Sequence, residues 1–513
     1  MLTLASNLDR TARLFGDRTA TLDPDGRFSW AEFADRARRC AGMLRELGLT
    51  PGDRFGVICR NSFRNAELMH GGYWAGLVPV PVNYRLAPPE IAYILDNAEC
   101  RLVVLEEPFA ALTTAADLAP WADRVLLMTQ TQYEERLGAV KATPMHEAAE
   151  TDDALLVYTG GTTGRAKGVR LTHGNIMLNA LQIAFVAKPR ADDLFLHVAP
   201  MFHSADLLAT SWVMAGAAHL YMPEFTGRAA LQAIQEHRVT CSMLTPTMII
   251  MMLQEPDFSS YDLSSLRQVI YGSSPMAAEW IQRSLERLPG VEFIQAYGLT
   301  ETAPLLTMLE MADHEKAMCS GDHAILKSVG RPLPGVDMRI VDGNDRELPP
   351  GKAGEVIVRA PNVAKGYLKR PEATAEAFRR GWFYTGDIGR MDERGNLYLL
   401  DRKKDLIITG GELVYSLEVE SALYENPKVQ ECAVVGIPDD AYGEALLAAI
   451  VPAPGEPLTP EELIEHCRGR IGGYKIPRRF IFLDALPKSA MNKVLKHELR
   501  RMYSQPTSAE ETT

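Results

Sequence analysis

Short apolar segments alternate with helical ones along much of the chain, and this alternation restricts the fold more than any other feature. Between residues 28 and 150 the helical pattern FADRARRCAGMLRELG is interleaved with GDRFGVICRNS, LVPVPVN, CRLVVLE and DRVLLMT. Strands separated by helices predict a parallel sheet covered by helices, the α/β class. A second series runs through DDLFLHVA, AHLYMPE, VTCSMLTP, LRQVIYGSS and VEFIQAYG. Two successive layered α/β subdomains are therefore expected. From about Gly330 the texture becomes turn-rich: PGVDMRIVD, GEVIVRA and GNLYLLDR are broken by DGND, PPG and ERG, which predicts a small antiparallel sheet or β-barrel. After Asp401, LEVESALYENP reads as a helix, VQECAVVGIP as a strand and PEELIEHCRGRI as a helix. A small α+β domain of roughly 100 residues should close the chain.

The charge balance narrows the ligands. The 513 residues carry 54 Lys and Arg against 66 Asp and Glu, a net charge of −12, the wrong sign for a protein that coats nucleic acid. Any anionic ligand must be held by local positive charge. Such a concentration exists from Arg468 to Arg501, where ten basic residues face two acids, and it suits a polyphosphate partner. The longest apolar stretch, Leu207 to Met222, contains Thr210, Ser211 and His219 and is shorter than the ~20 residues a bilayer requires. It is read as a buried helix leading into a strand, and no transmembrane segment is expected. The N-terminal MLTLASNLDRTARLFGDR lacks the basic, apolar and small-residue order of an export signal, so no export is expected. Seven scattered cysteines without a C-x-x-C pair argue against structural zinc or disulfides and fit a reducing cytoplasm.

The strongest local signal is Asp153 to Asn175, DALLVYTGGTTGRAKGVRLTHGN. An apolar strand enters a loop with Gly160, Gly161, Gly164 and Gly168, followed by a helical segment. Glycines let backbone N–H groups approach phosphate oxygens, Thr159, Thr162 and Thr163 add donors, and Lys167 supplies charge. This is a phosphate-gripping loop. It is not a Walker A sequence, because Lys167 is preceded by Ala166 and followed by Gly168, whereas that motif needs Gly-Lys and then a hydroxyl residue.

Further motifs follow in a fixed order: PMFHSAD with His203; YGSSP, which holds Gly272, Ser273, Ser274 and Pro275; and AYGLTETAP with Ala296, Tyr297, Gly298, Thr300 and Glu301. After them come GWFYTGD ending at Asp387, DRKKDLIITGGELVYSLEVE with Arg402, Lys404, Gly410 and Gly411, and PKSAMNKVLK with Lys493. With these motifs the chain closely resembles the adenylate-forming superfamily of acyl-CoA synthetases, peptide-synthetase adenylation domains and beetle luciferases, and the resemblance covers nearly its whole length.

That resemblance implies a role for each motif. YGSSP and AYG surround the nucleotide, with the Tyr297 ring on adenine. Thr300 donates to the α-phosphate, and Glu301, with Thr159, holds Mg²⁺ between phosphates, since hard cations prefer oxygen ligands. Asp387 takes the ribose hydroxyls, Arg402 lies near the ribose and α-phosphate, and Lys404 is the hinge. Lys493 bridges the attacking carboxylate and the α-phosphate, where its charge offsets the charge of in-line displacement. His203 orients the carboxylate, while a buried structural histidine is the competing reading. Gly410 and Gly411 line a pantetheine tunnel flanked by Tyr442 of GIPDDAYGE, and Lys475 and Arg478 of YKIPRR meet the phosphates of coenzyme A. The departures from the family pattern are Ser489 for Thr and Asn492 for Gly before Lys493, and Leu413 where Asn is common.

The expected organisation is a domain over 1–401 for acid and ATP, a hinge at 402–404, a C-terminal domain over 405–503 and a disordered tail over 504–513. The expected activity is a carboxylate–CoA ligase using ATP, Mg²⁺ and coenzyme A on a fatty, aromatic or alicyclic acid. A homodimer is an assembly this reading allows. PMFHSADLLATSWVMAGAA suggests an apolar acyl pocket and leaves open which way Asp206 faces. The alternatives are an adenylating enzyme that loads a carrier protein, and a nucleotide-binding relative without turnover.

Overall fold

The computed structural model describes residues 2–23, 25–159, 165–321, 323–453, 455, 457–488 and 494–503. Gly160, Gly161, Thr162, Thr163, Gly164, Ser489, Asn492, Lys493 and the expected tail therefore lie outside the described residues. Two compact units are present. One comprises Met1–Met276, Gln282–Asp337 and Val358–Phe383, and the other comprises Ala277–Ile281, Met338–Ile357 and Tyr384–Thr513.

Both expected strand series form parallel sheets in the first unit. A four-stranded sheet runs in the order Val78–Pro81, Arg54–Ile58, Leu102–Glu106, Val125–Met128, with every neighbouring pair parallel. A nine-stranded sheet has parallel Glu292–Tyr297, Gln268–Gly272, Cys241–Leu244, Leu194–His197, Ala218–Tyr221 and Thr19–Asp23 at its centre. Helix Trp30–Glu46 opens with a capping box: Ser29 Oγ accepts from the Glu32 N–H and the Glu32 carboxylate accepts from the Ser29 N–H, which satisfies two otherwise orphan donors. The apolar stretch is helix Thr210–Ala215 followed by strand Ala218–Tyr221, with Trp212 fully buried. Among the described residues no helix is long and apolar enough to cross a membrane.

One local expectation fails. The segment after the glycine-rich loop is first a strand, Lys167–Thr172, and only then helix His173–Ala187. The strand forms because Val169 and Leu171, two apart, are fully buried and place one face against Asp153–Thr159 in an antiparallel hairpin.

The turn-rich region is a five-stranded sheet containing Asp337–Val341, Gly354–Arg359, Trp382–Met391 and Leu397–Arg402. The closing segment packs helix Ser416–Tyr424 on another five-stranded sheet, ordered Glu412–Val414, Ile407–Thr409, Gly443–Pro452, Val429–Asp439, with Arg479–Phe482 parallel to Gly443–Pro452.

The Asp206 question is settled by a polar chain inside the first unit. Asp206 Oδ1 lies 2.6 Å from His197 Nδ1, and His197 Nε2 lies 2.9 Å from His219 Nδ1. The His197 ring stacks on Tyr221 at 4.5 Å. Asp206 thus turns onto the end of the parallel sheet. His70, half-buried and edge-on to Phe33 and Tyr73, has its pKa pushed down to about 4 by desolvation alone. The unfolded chain takes up this proton near the ordinary histidine value of about 6.5, so the stability present above that pH is lost as pH falls towards 4. His70→Leu should remove up to about 3 kcal/mol of that loss. Denaturant titrations at pH 7 and 4.5 check this, and equal acid sensitivity in both proteins would contradict it.

Candidate functional site

In the first unit the hairpin brings the two ends of the glycine-rich loop side by side. Thr159 pairs with Lys167, and Thr159 Oγ1 lies 3.5 Å from the Lys167 carbonyl oxygen. Strand pairing thereby closes the loop at its base. The Lys167 ammonium lies 4.9 Å from the centroid of the Tyr367 ring, and Tyr367 Oη donates to Glu301 Oε1 at 2.8 Å. Burial, with the Glu301 charge beside it, raises the Tyr367 pKa. The phenol keeps its proton and remains a donor.

Glu301 is 9% exposed, in the 3₁₀ turn Thr300–Thr302. This turn is held by its backbone: the Glu301 carbonyl accepts from the Ala364 N–H at 2.8 Å, and Asn362 Nδ2 donates to the Thr302 and Leu305 carbonyls at 2.6 and 2.9 Å. Thr300 Oγ1 bonds Ser204 Oγ at 2.9 Å. Ser204 begins the 3₁₀ segment Ser204–Ala209, capped by His203, whose Nδ1 accepts from the Ala205 N–H at 3.1 Å. An accepting Nδ1 leaves the proton of neutral His203 on Nε2.

Tyr297 closes strand Glu292–Tyr297 and is 8% exposed. Next to it, a Cβ on Gly298 would collide with the Pro304 carbonyl oxygen and Leu305 Cα, so only glycine lets the chain turn there. Gly272 pairs with Ala296, and Ser273, Ser274 and Pro275 are exposed just beyond the strand. These groups lie at the carboxyl ends of parallel strands, where open α/β sheets bind ligands.

In the second unit Asp387 and Arg402 are cross-strand partners, and Arg402 Nε lies 2.6 Å from Asp387 Oδ1. The carboxylate is buried while the arginine is half exposed. Lys404 is exposed. Gly410 and Gly411 form the turn between Ile407–Thr409 and Glu412–Val414, with φ of 59° and 83°. Two successive positive φ values fit the tight turn that right-twisted hairpins favour, and a Cβ on Gly411 would meet nothing within 4 Å. Beside the turn, the Gly410 N–H donates to the Tyr442 carbonyl, and the Arg478 guanidinium stacks 3.6 Å from the Tyr442 ring centroid. Lys475 bonds both Glu418 oxygens at 2.7 and 2.8 Å. Ile408 and Leu413 face each other across the hairpin and are both exposed.

Lys167 and Glu301 are thus linked, Ser204 ties the His203 segment to Thr300, and Asp387 meets Arg402. Sequence reasoning missed Tyr367 and Asn362. Tyr367 lies in NVAKGYLKRP, a loop-like stretch whose one signal is an aromatic beside glycine. Among the described residues no group of three or more His, Cys, Asp or Glu could hold a metal. A single carboxylate and a threonine hydroxyl instead suit Mg²⁺, which keeps waters and takes most of its protein-side anchoring from one or two carboxylates plus substrate phosphates.

The family description AMP-binding enzyme matches residues 8–368, and AMP-binding enzyme C-terminal domain matches residues 418–493. The feruloyl-CoA synthase of an Amycolatopsis species is 37% identical over 96% of this chain and 98% of its own length. A fatty acid–[acyl-carrier-protein] ligase of Streptomyces coeruleorubidus is 34% identical over 91% of this chain and 90% of its own. Among solved structures, the o-succinylbenzoate CoA synthetase of Bacillus subtilis in complex with its acyl-adenylate intermediate superimposes with a TM-score of 0.86, at 29% identity, over 96% of this chain and 97% of that one.

Proposed function

The chain belongs to the AMP-binding enzyme family of adenylate-forming enzymes, and on that footing we propose that it is an AMP-forming carboxylate–CoA ligase. A carboxylate oxygen attacks the α-phosphorus of ATP, pyrophosphate leaves, and acyl-AMP forms. The thiolate of coenzyme A then attacks the acyl carbon and AMP leaves. The observation that carries this reading is the Lys167–Tyr367–Glu301 link at the strand ends, beside the bond from Ser204 to Thr300.

In this reading Lys167 and the hydroxyls of Thr159, Thr162 and Thr163 hold the outer phosphates, and Thr300 donates to the α-phosphate. Tyr297 lies against adenine, Asp387 takes the ribose, and Arg402, already on Asp387, adds positive charge beside it. Glu301, aimed by Tyr367, would hold Mg²⁺ with Thr159, and the bound ion would supply charge that neutralises the phosphates. His203, protonated on Nε2, points a donor at the substrate carboxylate. A hinge at Lys404 exchanges the two half-reactions, so one chain stabilises two different transition states. The Gly410–Gly411 turn, with exposed Ile408 and Leu413 and the Tyr442–Arg478 stack, suits a thin pantetheine arm and a phosphate. All seven cysteines are free thiols and all but Cys319 are buried, which supports a cytoplasmic setting.

A carrier-protein acceptor is the second reading, favoured by the Streptomyces coeruleorubidus relative. The test is AMP release with ATP, Mg²⁺ and a panel of fatty, aromatic and alicyclic acids, supplied with coenzyme A or with a phosphopantetheinylated carrier protein. Acyl-CoA formation matched to AMP release is expected. Acylation of the carrier protein alone would move the assignment to the second reading, and no AMP with any acid would overturn both.

A further inference from the structure

The loop that carries His203 is closed on itself by side chains of the first unit. It leaves strand Leu194–His197, and nine positions after the strand's last residue Asp206 turns back onto it, with Oδ1 2.6 Å from His197 Nδ1. An ionised carboxylate can only accept, so His197 Nδ1 carries a proton and donates it. The other ring nitrogen, Nε2, lies 2.9 Å from His219 Nδ1. Turning the His197 ring over would put carbon at both bonded positions, so one orientation serves, and the ring is stacked 4.5 Å from Tyr221 in that orientation. Burial, with His197 and His70 nearby, holds the His219 pKa well below its ordinary value, and the far end of the chain is a neutral imidazole.

The incoming half of the loop has its own anchor. Asn61, 4% exposed, accepts from the Met201 N–H at 2.8 Å and donates from Nδ2 to the Ala199 and His197 carbonyls at 2.9 and 3.3 Å. Between the two anchors the His203 N–H donates to the Pro200 carbonyl at 2.9 Å, and the Asp206 N–H donates to the His203 carbonyl at 3.1 Å. Just past His203, Ser204 bonds Thr300. On the outgoing side it is the Asp206 side chain, 16% exposed, that returns the loop to the strand end. An apolar side chain could fill the space at 206, but it would not tie the loop to the His197 ring.

We propose that Asp206 is a positioning residue for adenylation: by bonding His197 it closes the loop over 197–206 and fixes the direction in which His203 faces the substrate carboxylate. This rests on the reading that His203 orients that carboxylate. Asp206 acts through the loop and not on the substrate. Misplacing a catalytic group by about 1 Å can cost about 10²-fold in rate, so an open loop should appear in kcat of the first half-reaction and not in ATP binding. The second half-reaction starts from a carboxylate already joined to AMP, and it does not need His203 to present an attacking oxygen.

The test uses the full chain carrying Asp206→Ala or Asp206→Asn, with thermal melting as the check on folding. ATP–pyrophosphate exchange is measured beside acyl-CoA synthesis from supplied acyl-AMP. For Asp206→Ala, exchange kcat should fall by about 10- to 100-fold, with KM for ATP and the second half-reaction within about twofold of wild type. Asp206→Asn should recover most of the loss, since an amide oxygen can still accept from His197 Nδ1–H. Equal losses in both half-reactions, an unchanged exchange rate, or an asparagine variant as poor as the alanine one would overturn the proposal. If the alanine variant does not fold, Asp206→Leu, which keeps the volume but not the bond, takes its place with the same expected and overturning results. His203→Ala is run alongside. If it spares exchange, the reading of His203 fails and this proposal falls with it; if it cuts exchange while Asp206→Ala does not, only the positioning role fails.

Discussion

Lys493→Ala should lower ATP–pyrophosphate exchange by about 10³-fold while leaving acyl-CoA synthesis from supplied acyl-AMP close to wild type. The size follows from where charge develops. As the carboxylate oxygen approaches the α-phosphorus, negative charge gathers on the phosphoryl oxygens and on departing pyrophosphate, and a fixed ammonium at that point is worth several kcal/mol away from bulk water. The second half-reaction breaks the bond between the acyl carbon and the AMP oxygen, leaves phosphorus untouched and does not call on this ammonium. Lys493→Arg distinguishes position from charge, because it keeps the charge on a planar, wider group and should recover little. Similar losses in both half-reactions would show that one arrangement of the chain serves both steps, and the hinge at Lys404 would then have no role.

How far the sequence reached depended on whether chemistry and position travelled together. The parallel strands were legible because runs such as RFGVI and LVVLE are apolar, short and separated by helical patterns. The strand Lys167–Thr172 was not, since KGVRLT follows a polar, glycine-rich loop and its burial depends on the hairpin partner Asp153–Thr159. Lys167 and Glu301 could be named from their motifs, whereas Tyr367, which links them, could not. A phenol that orients a carboxylate carries no fixed spacing to the residue it serves, 66 positions away. The same holds for Lys496: in a run of basic residues it reads as one more surface charge, and only the fold brings Glu420, Ser416 and Asp401 around it. Lys475 shows the converse, because a residue read as a phosphate contact meets a carboxylate, Glu418, within its own unit. Composition locates basic charge but not the acids that neutralise it.

Glu301→Gln should reduce turnover at saturating ATP by about 10²-fold or more, a loss of about 3 kcal/mol or more in transition-state stabilisation. The substitution is clean because of Tyr367. The hydroxyl that donates to Glu301 Oε1 at 2.8 Å can donate equally to an amide oxygen, and the backbone bonds that hold the Thr300–Thr302 turn do not involve the side chain. What changes is the charge and the quality of the oxygen ligand, and a neutral amide holds a hard cation poorly. The Mg²⁺ concentration for half-maximal exchange should therefore rise along with the fall in rate. Tyr367→Phe supplies the complementary case: the carboxylate keeps its charge but loses the donor that aims it, so a smaller loss of about tenfold with little change in Mg²⁺ requirement is expected. Wild-type turnover for Glu301→Gln at saturating Mg²⁺ and ATP would remove the carboxylate from the metal site, and the link through Tyr367 would then serve only to hold Lys167 against the loop.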